Sequence, residues 1–232
     1  MMRLPILFSF SCVLILLLSG CSGAPGYPKP GAEVLRPEDQ LSFDTLYSQN
    51  CAACHGAEGQ NGAAIDLANP EYQALVDDSS LRKWISGGVQ GTQMPAFAIS
   101  MGGTLTDRQI DVIVLGMRRA WSQRAVLDGH NPPPYAQDQK GNAFRGKQAY
   151  NSNCASCHQA STQQVTSPDY LALVADQTLR SIIIAGRPDI GHPDWRGDNP
   201  GTPLGPEDVT DIVTYLGTLR SATPGQPYPQ GQ

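Results

Sequence analysis

Apolar residues at Ile110, Ile113, Val114 and Met117 recur at intervals of three and four, and the same stripe returns at Val209, Ile212, Val213 and Leu216. That period places one hydrophobic face on a helix, so each stripe predicts an amphipathic α-helix buried along one side, with Met117 in the core. Thr106, with Gln109 three positions on, predicts a capping box for the first helix, while Gly205 and Pro206 open the second. Two shorter segments predict middle helices: Ser80 to Ser86, stopped by Gly87-Gly88, and Thr178 to Ala185, stopped by Gly186. Phe43 to Asn50 and Gly146 to Asn153 predict a first helix in each half, carrying Tyr47 and Tyr150 four residues before a cysteine.

The halves are copies of one unit. Asn69-Pro70-Glu71-Tyr72 matches Ser167-Pro168-Asp169-Tyr170 at an offset of 98 residues, as do Leu81-Arg82 with Leu179-Arg180 and Pro95 with Pro193. In that register Met94 falls on His192. Beyond this point the offset becomes 99, pairing Leu105 with Leu204 and the two closing stripes with each other. The pattern predicts an all-α chain with a first repeat over 41–122 and a second over 142–220. Residues 123–141, with Pro132-Pro133-Pro134, read as an extended linker that spaces the repeats without adding to either core. Residues 221–232 read as a loose tail.

The first twenty residues differ from the others. Arg3 is followed by an apolar run from Leu4 to Leu18, then Ser19, Gly20 and Cys21. The run is short for a membrane span and predicts an export signal over 1–20. The ending Leu-Ser-Gly-Cys resembles the lipobox of bacterial lipoproteins, which implies lipidation of Cys21 and a tether over 21–40. An uncleaved anchor helix and ordinary cleavage are the competing readings. A lipid anchor implies a chain held on the extracytoplasmic, periplasmic face of a bacterial membrane. The formal charge of -5 and the lack of any basic run argue against a nucleic-acid partner.

Cysteine usage carries the chemistry. Four cysteines remain after Cys12 and Cys21, and an exported protein would ordinarily spend them on disulfides. Their spacing argues otherwise: Cys51-Ala52-Ala53-Cys54-His55 and Cys154-Ala155-Ser156-Cys157-His158 are both C-x-x-C-H, the attachment signature of c-type haem. Two thiols one helical turn apart can each add to a vinyl group of the porphyrin, and the adjacent imidazole then lies under the iron. A redox dithiol does not require the trailing histidine, and a zinc knuckle would want further Cys or His nearby. Two covalent haem c groups are expected, on Cys51, Cys54, Cys154 and Cys157, with His55 and His158 as proximal ligands.

Over residues 41–220 the chain resembles tandem dihaem cytochromes c of the class I type: two small helical bundles, each around a covalently bound haem c. The resemblance implies that Met94, ahead of Pro95, presents its thioether to the first iron, with Met101 as the local competitor. His192 holds the equivalent place in a repeat without methionine, so it is the expected sixth ligand of the second iron; an open site and the linker residue His130 are the other options. A His/Met first haem should then have a higher potential than a His/His second haem, since thioether favours reduced iron. The implied function is single-electron transfer between redox-protein partners, with no small-molecule substrate and no enzyme activity. Rival readings are a dihaem peroxidase-like enzyme and, if the second iron is open, a gas sensor.

Overall fold

The computed structural model describes residues 35–158, 165–197 and 203–222, without the side chain of Arg124. The proposed signal and Cys21 lie outside the described residues, as do most of the proposed tether and of the tail. The described residues contain ten α-helices and no strand, only isolated bridges between Ala98 and Leu105 and between Arg187 and His192.

The first repeat holds α1 (Phe43–Asn50), α2 (Ala52–His55), α3 (Pro70–Leu75), α4 (Asp78–Gly87) and α5 (Asp107–Trp121). The second holds α6 (Ala143–Asn153), α7 (Ala155–His158), α8 (Pro168–Ala172), α9 (Asp176–Ala185) and α10 (Pro206–Thr218). Side-chain caps explain most of the starts. Ser42, Asn69, Asp77 and Asn142 each accept from backbone N–H groups of the turn they open. Thr106 and Gln109 form the reciprocal capping box that their spacing predicts. Helix α6 begins three residues before the expected Gly146 because Asn142 caps it. Helices α3 and α8 are short, each opened by a capping side chain and a proline at the first helical position, and hydrophobic periodicity gives no sign of them.

In each repeat the first and last helices cross at a glycine. Gly116 of α5 lies against the Phe43 ring of α1, where a Cβ would overlap it. In the second repeat the roles are exchanged. Gly146 of α6, the counterpart of Phe43, lies against the Asp211 carbonyl and Tyr215 of α10, and Tyr215 is the counterpart of Gly116. Both closing stripes are buried as their period predicts: Ile110, Ile113 and Met117 in one core, Val209, Ile212 and Leu216 in the other repeat, each no more than 4 % exposed.

The linker is not a passive spacer. Pro133 is fully buried, and the Tyr135 hydroxyl accepts from Trp84 Nε1 at 3.0 Å. Buried Arg180 of α9 donates to the Pro134 carbonyl through Nε and Nη2 at 2.9 and 2.7 Å, and through Nη1 to Thr210 at 3.1 Å. Extended proline-rich backbone makes no internal hydrogen bonds, so its carbonyls remain available to a buried guanidinium. Direct contacts add to the junction: Asn69 Nδ2 donates to the Ala185 carbonyl at 2.8 Å, and Arg196 pairs with Glu71 and Asp194. A small apolar cluster of Ile184, Trp195 and Val209 takes in Leu75 from the first repeat and Leu127 from the linker. The described residues of both repeats and the linker, from Pro37 onward, fall in one compact unit.

Candidate haem sites

Each C-x-x-C-H motif occupies one turn directly after the first helix of its repeat. Cys51 N–H bonds back to the Tyr47 carbonyl at 2.8 Å and His55 N–H to the Cys51 carbonyl at 3.0 Å; Cys154 and His158 repeat this at 2.8 and 3.1 Å. None of these four cysteines is in a disulfide; the first of each motif is half-buried and the second exposed. Burial, and then the neighbouring sulfur, push the thiols of Cys51 and Cys154 up to about 11. A redox dithiol works through a depressed thiol pKa, so the dithiol reading loses its support. A thioether carries no charge, and burial does not oppose it.

His55 is 8 % exposed, with Nδ1 2.9 Å from the Ile65 carbonyl oxygen. A carbonyl can only accept, so Nδ1 carries the hydrogen and the Nε2 lone pair faces away, the tautomer a metal requires. Burial, helped by the charge of Arg187, holds this imidazole below its ordinary pKa and so neutral, although the bond to Ile65 pulls the other way. The supporting loop is packed tightly onto the motif. Ala64 N–H donates to the Cys54 carbonyl at 2.9 Å, and Gly62 sits where any Cβ would strike the Cys54–Gly56 backbone.

The distal segments keep in space the register they have in sequence. Gly88 ends α4 at φ 67° against the Met94 and Pro95 backbone; Gly186 ends α9 at φ 72° against the His192 and Pro193 backbone. No residue with a Cβ fits either approach. Phe97 N–H bonds to the Ile85 carbonyl and Trp195 N–H to the Ile184 carbonyl, both at 3.1 Å, anchoring each loop on its middle helix. Met94 and Cys51 both pack against the first core, whereas Met101 is 62 % exposed. In the second repeat the rings of His158 and His192 lie close together, with centroids 5.9 Å apart and planes tilted by 39°. Two imidazoles on opposite sides of one metal, each bonded at about 2 Å, have their centroids roughly 6 Å apart. The residues present therefore fit an iron held between them. His130 is exposed and meets the edge of Trp195 instead, at 6.4 Å.

Arg187, at 7 % exposure, reaches from the His192 hairpin into the first repeat. Its Nη1 donates to the Ala64 carbonyl at 2.9 Å and its Nη2 to the Gly62 carbonyl at 3.1 Å. The same guanidinium holds Asp189 at 2.8 and 2.7 Å, and that carboxylate accepts from Asn61 N–H at 2.8 Å. Asn61 has φ 61°, the one non-glycine residue with positive φ among the described residues. The only signal in the sequence is an Arg-x-Asp pair close to His192, and nothing in it points to a partner more than a hundred residues away.

Comparison with known proteins finds a cytochrome domain over each repeat. Residues 143–220 match the profile of the cytochrome c family, and residues 39–115 that of cytochrome c oxidase, cbb3-type, subunit III. The chain is 30 % identical over 142 residues to the Cbb3-type cytochrome c oxidase subunit CcoP of Azospirillum sp. (strain B510), a match covering 54 % of this chain and 43 % of that protein. The chain thus spans less than half the length of this curated relative. Among solved structures, a reducing HAO-like protein complex from Kuenenia stuttgartiensis aligns with a TM-score of 0.46 at 16 % identity, covering 81 % of this chain and 99 % of that one. The two matched segments mark two cytochrome c domains with two covalently bound haem c groups, the arrangement of a tandem dihaem cytochrome c of the class I type.

Proposed function

We propose that this cytochrome is a membrane-tethered carrier that passes single electrons between redox proteins on the extracytoplasmic side of a bacterial membrane. Cys51 and Cys54 hold the first haem, Cys154 and Cys157 the second. His55 and Met94 ligate the first iron, His158 and His192 the second, and Cys21 carries the lipid. The haem groups supply one-electron iron chemistry; the chain orients, ligates and insulates them. With both axial positions filled by side chains, neither iron offers a place for substrate, which favours a carrier over an enzyme. No described helix is long and apolar enough to cross a membrane. The likeness to an oxidase subunit supports a terminal oxidase as the class of electron acceptor.

The observation that carries the ligand reading is the 5.9 Å spacing of His158 and His192. Low-temperature EPR of the purified oxidised protein should show two distinct low-spin centres, one thioether-ligated and one bis-imidazole. A His192→Met substitution should raise the lower midpoint potential, because thioether stabilises reduced iron better than imidazole. Unchanged potentials in that variant, or strong carbon monoxide binding to the reduced wild type, would refute the assignment.

A further inference from the structure

The hairpin that carries His192 and the loop that orients His55 are joined by one side chain. Arg187 and His192 exchange backbone hydrogen bonds, Arg187 N–H to the His192 carbonyl at 3.0 Å and His192 N–H to the Arg187 carbonyl at 2.9 Å. From that bridge the Arg187 guanidinium crosses into the first repeat and holds the Gly62 and Ala64 carbonyls, within three residues of the Ile65 carbonyl that fixes the His55 ring. Asp189, whose side chain has 0 % exposure, completes the clamp through Asn61.

We propose that Arg187 is a positioning residue for both haem sites at once, and that the Arg187–Asp189 pair sets the reduction potential of the first haem from within the second repeat. The proposal rests on the ligand reading above for His55 and His192. A buried guanidinium near His55 opposes the extra positive charge of ferric iron, and a buried carboxylate favours it. Inside the protein such charges act at low effective dielectric and are weakly screened by salt. Asp66, also buried beside the clamp, feels both members: Asp189 raises its pKa after burial does, and Arg187 lowers it. The pair is therefore a source of opposed fields at one site, and removing either member has a predictable sign.

The test is a spectroscopic redox titration of the full holoprotein, following each haem by its EPR signal. Arg187→Gln should lower the midpoint of the first haem, on the order of a tenfold change in its reduction equilibrium, which is 59 mV for one electron. Asp189→Asn should raise it by a similar factor. Arg187→Lys retains the charge and should stay near wild type, which also keeps the idea testable if Arg187→Gln fails to mature. Arg196→Gln loosens the same junction without touching residues 61–65, and should leave the first haem unshifted. Shifts of the same sign in Arg187→Gln and Asp189→Asn, no shift in either, or an equal shift in Arg196→Gln would overturn the proposal. Failure of the ligand reading is separable, because it would appear in the wild-type EPR spectrum before any variant is compared.

Discussion

Met94 and His192 stand at one position of a repeated unit and differ in the donor atom they offer. The backbone treats them alike: each follows a middle helix closed by a left-handed glycine, and each is succeeded by proline. What differs is the partner side, where the His192 ring has its centroid 5.9 Å from that of His158. Charge at the junction is tuned by single residues too. Burial, and then Asp194, push the Glu71 carboxyl from 4.5 up to about 7, against the pull of Arg196. A glutamate held above its unfolded pKa binds more protons in the folded state between those values, so stability should fall as pH rises from about 4.5 to 7. The loss should be read as a denaturation midpoint that falls over that range, and Glu71→Gln should flatten the slope. An unchanged slope in the variant would place the titrating group elsewhere.

Among the elements, the crossing of first and last helices shows how one packing problem is solved twice with its parts exchanged. In α1 and α5 the large residue is Phe43 and the small one Gly116; in α6 and α10 the small residue is Gly146 and the large one Tyr215. Close approach requires one small partner, and either helix can supply it. Gly146→Ala should destabilise the second repeat by about 1–3 kcal/mol, because the added methyl meets backbone that cannot yield. Gly87→Ala, at an exposed helix end where a Cβ meets nothing, should be neutral or stabilising by up to about 1 kcal/mol. Denaturant midpoints of the two variants measure the contrast, and equal midpoints would mean that the crossing is not tightly packed. The exchange can be read from the aligned repeats once the crossing is known, yet no periodicity announces it, since a glycine and an aromatic ring facing each other leave no regular mark along either helix.

On the scale of the whole molecule, two small repeats share a junction built from the linker, α9 and the His192 loop. Each repeat has about 80 residues, a size at which a side-chain core alone is marginal, and the covalent haem supplies much of the buried apolar volume. Replacing Cys51, Cys54, Cys154 and Cys157 by serine should leave a chain with little helical circular dichroism and no resistance to protease. A helical, resistant product would show that the polypeptide core suffices by itself. The junction adds contacts that neither repeat has separately, among them those of Arg180 and Arg187, two buried guanidiniums that find backbone carbonyls of other segments.

The sequence by itself determined the helical class and both haem-attachment turns, because these rest on residues a few positions apart, and the duplication with its pairing of Met94 and His192, because a repeated unit repeats its local pattern at a fixed offset. Only the tertiary structure decided how the repeats meet. It turned the proline-rich linker from a spacer into part of the packing, set His130 beside Trp195, and placed Arg187 across the gap between two sites. Those outcomes depend on which carbonyls and carboxylates a long side chain can reach after folding. Such a choice is governed by distance in space, and residues more than a hundred positions apart carry no local pattern that encodes it.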